Sequence, residues 1–184
     1  MLDQSAKAQG FTLVELLIVV IILAILAAIV VPQFSSSTQD AKVSALDNSL
    51  ANVRSAIDLY RQQHGAYPGL NTAVPGAGCA AGTKGAGTGV TGAQAATAFT
   101  EQLTLYTDIN GGACSIADAT FKFGPYLKTA DNSLPSNPIT EDDALLIETT
   151  GDLAMTSAAA PGVGWKYDVK SGKFIADDAA YADH

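Results

Sequence analysis

Hydrophobic and polar positions divide the chain into stretches of different pattern. From Phe11 to Val31 the pattern is unbroken: every residue is apolar except Thr12 and Glu15. At about 1.5 Å of rise per residue, such a run makes a helix just long enough to cross a bilayer. Pro32 follows directly, and a proline inside a helix removes one hydrogen bond and collides with the preceding turn. Residues Gln33 to Thr38 have weak helix propensity, because their hydroxyls compete for backbone partners. Two readings stand for this junction: a helix that breaks at Pro32, or one that is loosened there between two good halves.

Periodicity returns with Val43, Leu46, Leu50, Val53, Ile57 and Tyr60, whose steps of three and four make one apolar stripe. Lys42, Asp47, Arg54, Asp58 and Arg61 fall off the stripe. The stripe is shorter than a sustained coiled coil requires, which favours docking on a sheet. Gly65 and Pro68 end the helix, and His64 reads as a solvated last-turn residue without a partner. Residues 69–97 are dominated by Gly, Ala and Thr and read as a long surface excursion. The formal GxGxxG at Gly87, Gly89 and Gly92 follows no strand and opens no βαβ unit, so it is not a dinucleotide site.

Beyond the excursion the elements are short. Phe99, Leu103 and Tyr106 predict an amphipathic helix that ends before Asn110-Gly111-Gly112. Phe121–Leu127 and Ala144–Thr150 are strand candidates, the latter buried. Trp165, Tyr167 and Val169 alternate with polar neighbours, and Lys170–Lys173 turns the chain into Phe174-Ile175-Ala176, a hairpin with one aromatic face. The predicted class is α+β: a long N-terminal helix, its first half hydrophobic, packed on a small antiparallel β-sheet.

Charge narrows the function. The 184 residues carry 10 Lys and Arg against 18 Asp and Glu, a net charge of −8, which argues against nucleic acid as a partner. Lys166, Lys170 and Lys173 are a small basic group that reads as the solvent face of the hairpin. No nucleophile–base–carboxylate set and no metal-ligand cluster stands out, so an enzyme is not expected.

Glu15 is the residue that asks for an explanation, since a carboxylate in such a helix costs a few kcal/mol in lipid. Residues 1–10 are short and polar, unlike a secretory signal, in which the cut follows the apolar core. Gly10-Phe11-Thr12-Leu13-Val14-Glu15, followed by the apolar run and Pro32, closely resembles the prepilin signature of type IV pilins and type II secretion pseudopilins. The resemblance covers residues 5 to about 60 well. Beyond them, Gly124-Pro125-Tyr126-Leu127, Pro135-Ser136-Asn137-Pro138 and Gly164-Trp165-Lys166-Tyr167 look in outline like the major-pseudopilin group.

The resemblance implies a leader at 1–10, cut between Gly10 and Phe11 by a prepilin peptidase that also methylates the new Phe11 amine. It further implies a transmembrane and assembly helix at 11–32, an amphipathic continuation at 33–65 and a globular head at 66–184. Glu15 would be an assembly residue, pairing with the Phe11 ammonium of a neighbouring copy and setting register more than adding stability. Expected partners are further copies in a helical filament, the peptidase, an inner-membrane assembly platform and the membrane. The chain would begin as a single-pass inner-membrane precursor and end in a periplasmic or cell-surface filament. A monomeric, membrane-anchored extracytoplasmic binding domain is the alternative, and pilus and secretion pseudopilus share these signals.

Two further expectations rest on the resemblance. The implied topology puts Cys79 and Cys114, the two cysteines of the chain, outside the cytoplasm, where a disulfide persists. Closing that loop stabilises by about 3–4 kcal/mol on the chain-entropy argument, with two free thiols as the alternative. Major pseudopilins commonly hold a calcium ion, which takes six to eight oxygens. The residues that would meet it here are Glu141 and Asp142 with Asp177, Asp178 and Asp183; the alternative is that both acidic clusters are solvated loop ends.

Overall fold

A computed structural model describes residues 11–88, 91–129, 131–157 and 163–184, with the main chain alone at 30–36. The chain divides into a first compact unit that ends at Ala41 and a second, Lys42–His184. Helix α1 covers Leu13–His64, and α2 covers Gly92–Thr104. Five short strands follow: β1 (Tyr106–Thr107), β2 (Ala113–Cys114), β3 (Leu145–Glu148), β4 (Trp165–Asp168) and β5 (Phe174–Ala176).

Of the two readings at Pro32 the break does not occur: α1 runs uninterrupted through it. A proline costs a helix interior about 3 kcal/mol, and ordered turns on both sides absorb that loss. At the far end α1 stops as expected. Gly65 has φ +71°, and its N–H donates to the Arg61 carbonyl at 2.8 Å, a left-handed cap that only glycine adopts without strain.

The core of the second unit is built on the apolar stripe of α1. Leu46, Leu50, Val53, Ile57 and Tyr60 are buried in one cluster with Phe99 and Leu103 of α2 and with Trp165, Tyr167, Val169 and Phe174 of the hairpin. The ring centroids of Phe99 and Tyr167 lie 4.4 Å apart, and those of Trp165 and Phe174 5.2 Å apart, within the range where aromatic pairs attract beyond their area. The indole N–H of Trp165 donates to the Pro135 carbonyl at 2.8 Å, so the ring is buried without orphaning its donor. Arg54 reaches across to donate from Nε to the carbonyl of Phe174 at 3.0 Å, covering the outer edge of β5.

The class is α+β, but the sheet is mixed. β4 and β5 are antiparallel, pairing Tyr167 with Phe174, whereas β3 runs parallel to β4, pairing Leu145 with Trp165. A parallel neighbour needs a crossover of a dozen or more residues, and the segment 149–164 supplies it. β1 and β2 form a separate antiparallel pair. The strand expected over Phe121–Leu127 shrinks to one bridge between Thr107 and Phe123, because Pro125 has no N–H to extend a ladder.

The Gly/Ala/Thr-rich excursion is less of a surface loop than its composition suggests. Its last residues already belong to α2, which ends at Thr104 and leaves Tyr106 to β1. Ala73, Ala98 and Ala113 are buried in a cluster of their own. A Cβ on Gly87 would lie 2.2 Å from the Ala98 nitrogen, so the small residues are there to let main chain meet main chain. Side chains of α2 satisfy what this exposes. Glu101 accepts the N–H groups of Ala86 and Gly87 at 2.9 Å. The fully buried Gln102 accepts from the Gly69 N–H at 2.7 Å and donates to the carbonyls of Asn71 and Gly111.

Candidate functional site

The first unit is a helix without an interior. From Leu13 to Ile29 its large apolar side chains are exposed on every face, with none more covered than Val20 at 48%. A helix that is apolar all round is stable only inside a bilayer or among other apolar helices. Among the described residues no helix is long and apolar enough to cross a membrane, and the described side chains of the Phe11–Val31 run end at Ile29. Gly10 lies outside the described residues, while Phe11 is 82% exposed at the start of the helix.

At that start Glu15 is held by Thr12. The Glu15 carboxylate accepts the Thr12 N–H at 2.9 Å and the Thr12 hydroxyl at 2.7 Å through one oxygen, Oε2. The Thr12 hydroxyl oxygen in turn accepts the Glu15 N–H at 3.2 Å. This is a capping box, the reciprocal arrangement in which a Thr before a helix and a Glu three residues on satisfy orphan donors. The Thr-x-x-Glu spacing announces it in the sequence, and a reading of Glu15 as a membrane anomaly alone passes over it. Both Thr12 donors fall on Oε2, and among the described residues Oε1 accepts no hydrogen bond, so half of the carboxylate remains open to a cation from outside.

The two cysteines of the second unit meet. Cys79 and Cys114 form a disulfide with Cα atoms 5.6 Å apart, buried against Phe121 and Tyr106. It ties the excursion to β2 and the β1–β2 pair.

Residues 5–31 match the prokaryotic N-terminal methylation motif. Over 65 residues the chain is 43% identical to the type II secretion system core protein G of Pseudomonas aeruginosa, covering 35% of this chain and 46% of that protein. It is 42% identical over 65 residues to a fimbrial protein of Neisseria meningitidis serogroup B, covering 35% and 38%. Over 62 residues it is 44% identical to a type IV narrow pilus major component of Thermus thermophilus, covering 34% and 53%. Over its N-terminal third, this chain is similar to type IV pilins and type II secretion pseudopilins. Each match spans about half or less of the relative, and no solved structure matches the chain.

The calcium expectation can be tested on geometry. Glu141 pairs with Lys42 at 3.0 Å. Asp142 caps its own turn through the Ala144 N–H at 3.0 Å, and Asp178 does the same with Ala180 at 2.8 Å. Asp177 is buried, with its carboxylate 3.3 Å from the Val163 N–H. The acidic clusters are thus engaged locally, and among the described residues no group of three or more His, Cys, Asp or Glu side chains could hold a metal. The expected set of Glu141, Asp142, Asp177, Asp178 and Asp183 does not fit the ion.

The basic group is engaged as well. Lys166 lies 3.3 Å from Glu148 and donates to the Thr156 carbonyl, and Lys173 donates to the carbonyls of Leu153 and Met155. His64 is likewise not the solvated residue its position suggested. Its Nε2 lies 2.9 Å from the Thr107 hydroxyl and 3.1 Å from that of Tyr126, with the Tyr60 ring centroid 4.1 Å away. Burial lowers its pKa below the ordinary value, although the Ile109 carbonyl and Asp108 favour the charged ring. No local signal marks this site, because the hydrogen-bond partners of His64 are more than 40 residues distant in sequence.

Proposed function

We propose that the chain is a structural subunit of a type IV pilus or a type II secretion pseudopilus. The observation that carries this reading is the match of residues 5–31 to the methylation motif on a helix whose apolar side chains are exposed all round, with Glu15 at its start. In this reading a prepilin peptidase removes residues 1–10 and methylates the Phe11 amine. The precursor sits in the inner membrane through residues 11–32, and the processed chain passes into a periplasmic or cell-surface filament with an assembly platform as partner. Residues 33–65 continue the helix, and 66–184 form the head.

The physical role of Glu15 follows from its neighbours. In a filament the exposed aliphatic faces of several helices bury one another, which removes the carboxylate from water. A buried carboxylate left alone is heavily penalised, whereas one paired with an ammonium is largely compensated. The Phe11 ammonium of an adjacent copy is the cation that cleavage creates, and Oε1 is the oxygen left to receive it. The pair therefore acts on register: a copy displaced along the axis leaves both charges unpaired.

N-terminal sequencing and intact-mass measurement of the chain purified from membranes test the reading. The expected product begins at Phe11 and carries one added methyl group. A product that begins downstream of Val31 would mean a conventional signal peptide and end the filament reading.

A further inference from the structure

The metal that major pseudopilins commonly hold does not fit the acidic residues of this chain, and the segment beside the hairpin offers a reason. We propose that the loop 150–157 is ordered by side chains of the β4–β5 hairpin and needs no divalent cation, with Asp168 accepting its donors and the ammoniums of Lys166 and Lys173 donating to its carbonyls.

The arrangement is matched by polarity at each point along the loop. At its start, N–H and O–H donors face an anion: Asp168 accepts the Thr150 hydroxyl at 2.8 Å and the Gly151 N–H at 2.7 Å. Further on, carbonyls face cations. Lys173 Nζ donates to the carbonyls of Leu153 and Met155 at 2.9 Å each, and Lys166 Nζ donates to that of Thr156 at 3.0 Å. Met155 itself is buried, so this part of the loop is packed on the head. Hydrogen bonds with one charged partner are roughly twice as strong as neutral ones, and two on a single ammonium converge the chain as a metal would.

Asp168 is also unavailable as a metal ligand. Besides the two loop donors it accepts the N–H groups of Lys170 and Ser171 in the hairpin turn, at 2.8 and 3.0 Å. Burial by itself would raise its pKa, but the four donors hold the carboxyl down to about 2. A divalent cation entering here would have to displace an ammonium and strip donors from Asp168, then find six to eight oxygens.

The test is amide hydrogen exchange of residues 151–157 in the full chain in detergent micelles. In the parent protein, exchange is expected to be the same in millimolar calcium and in chelator. Exchange that slows when calcium is added overturns the proposal. Lys173→Met keeps the length of the side chain and removes its charge, and is expected to speed exchange across the loop about tenfold or more, with β3–β5 exchange unchanged and Lys173→Arg restoring protection. Lys173→Met with parental loop exchange overturns it equally. If Lys173→Met fails to fold, the calcium comparison on the parent decides alone. These measurements use unassembled chain, so they stand or fall apart from the filament reading.

Discussion

The N-terminal stretch of residues 11–29 and the compact unit of residues 42–184, the head with the part of α1 that packs in its core, solve the problem of apolar surface in opposite ways. The first has no buried residue among those described, and every large side chain from Leu13 to Ile29 is exposed. The second closes a core of its own, from Leu46 on α1 to Ala176 on β5, and adds a covalent tie. One region is complete only in contact with lipid or other copies, whereas the other is complete by itself. Changes in the first should therefore be read in assembly, and changes in the second in stability.

The largest expected effect lies in the N-terminal region. On the proposed reading Glu15→Leu removes the carboxylate that would pair with a neighbour's Phe11 ammonium, and filaments recovered from cells should be lost while membrane insertion is unchanged or improved. The thermal midpoint of the head should not move. Filaments in parental amount would show that Glu15 does not set register, and a shifted midpoint would show that the two regions are not independent in this sense.

Within the head, Cys114→Ser opens the tie to Cys79 and should cost about 3–4 kcal/mol by the loop-closure argument, measured by denaturant unfolding without reductant. A loss below about 1 kcal/mol would mean that the buried alanine cluster alone holds the excursion. Gly87→Ala comes next. Its new Cβ would press on the Ala98 main chain, which cannot rotate away, so about 1–3 kcal/mol is expected. An unchanged stability would restore the excursion to the status of a free loop.

The smallest effect concerns pH. The folded head holds His64 with a lowered pKa, so between that value and the ordinary 6.5 the unfolded chain binds more protons than the folded one. The contribution is fully present above about 6.5 and is lost as pH falls through the lowered folded value. His64→Gln should flatten the stability curve over that window, and its denaturation midpoint compared at neutral and mildly acid pH reads the difference. A curve of the same slope in both proteins would place the acid sensitivity elsewhere.

Much of this molecule is legible in its sequence because its signals are local. The aliphatic run, the Gly-Phe-Thr-Leu-Val-Glu string, the apolar stripe from Leu46 to Tyr60, the Gly65 stop and the aromatic hairpin are all patterns of period or spacing, and each depends on neighbours within a few turns. The disulfide was an expectation of the resemblance, whose implied topology puts Cys79 and Cys114 where a disulfide persists. What the sequence left undecided turns on groups far apart along the chain. Whether β3 pairs parallel depends on where a sixteen-residue crossover returns. Whether Gly and Ala form a loose loop or a packed layer depends on which main chain lies opposite, here Gly87 against Ala98. Whether an acidic cluster binds a metal or caps its own turn depends on what reaches it, and here Lys42 reaches Glu141 across 99 residues. Hydrophobic period writes an element into its own residues, but the partner of a buried donor, carboxylate or ammonium is chosen in three dimensions, and only the tertiary structure names it.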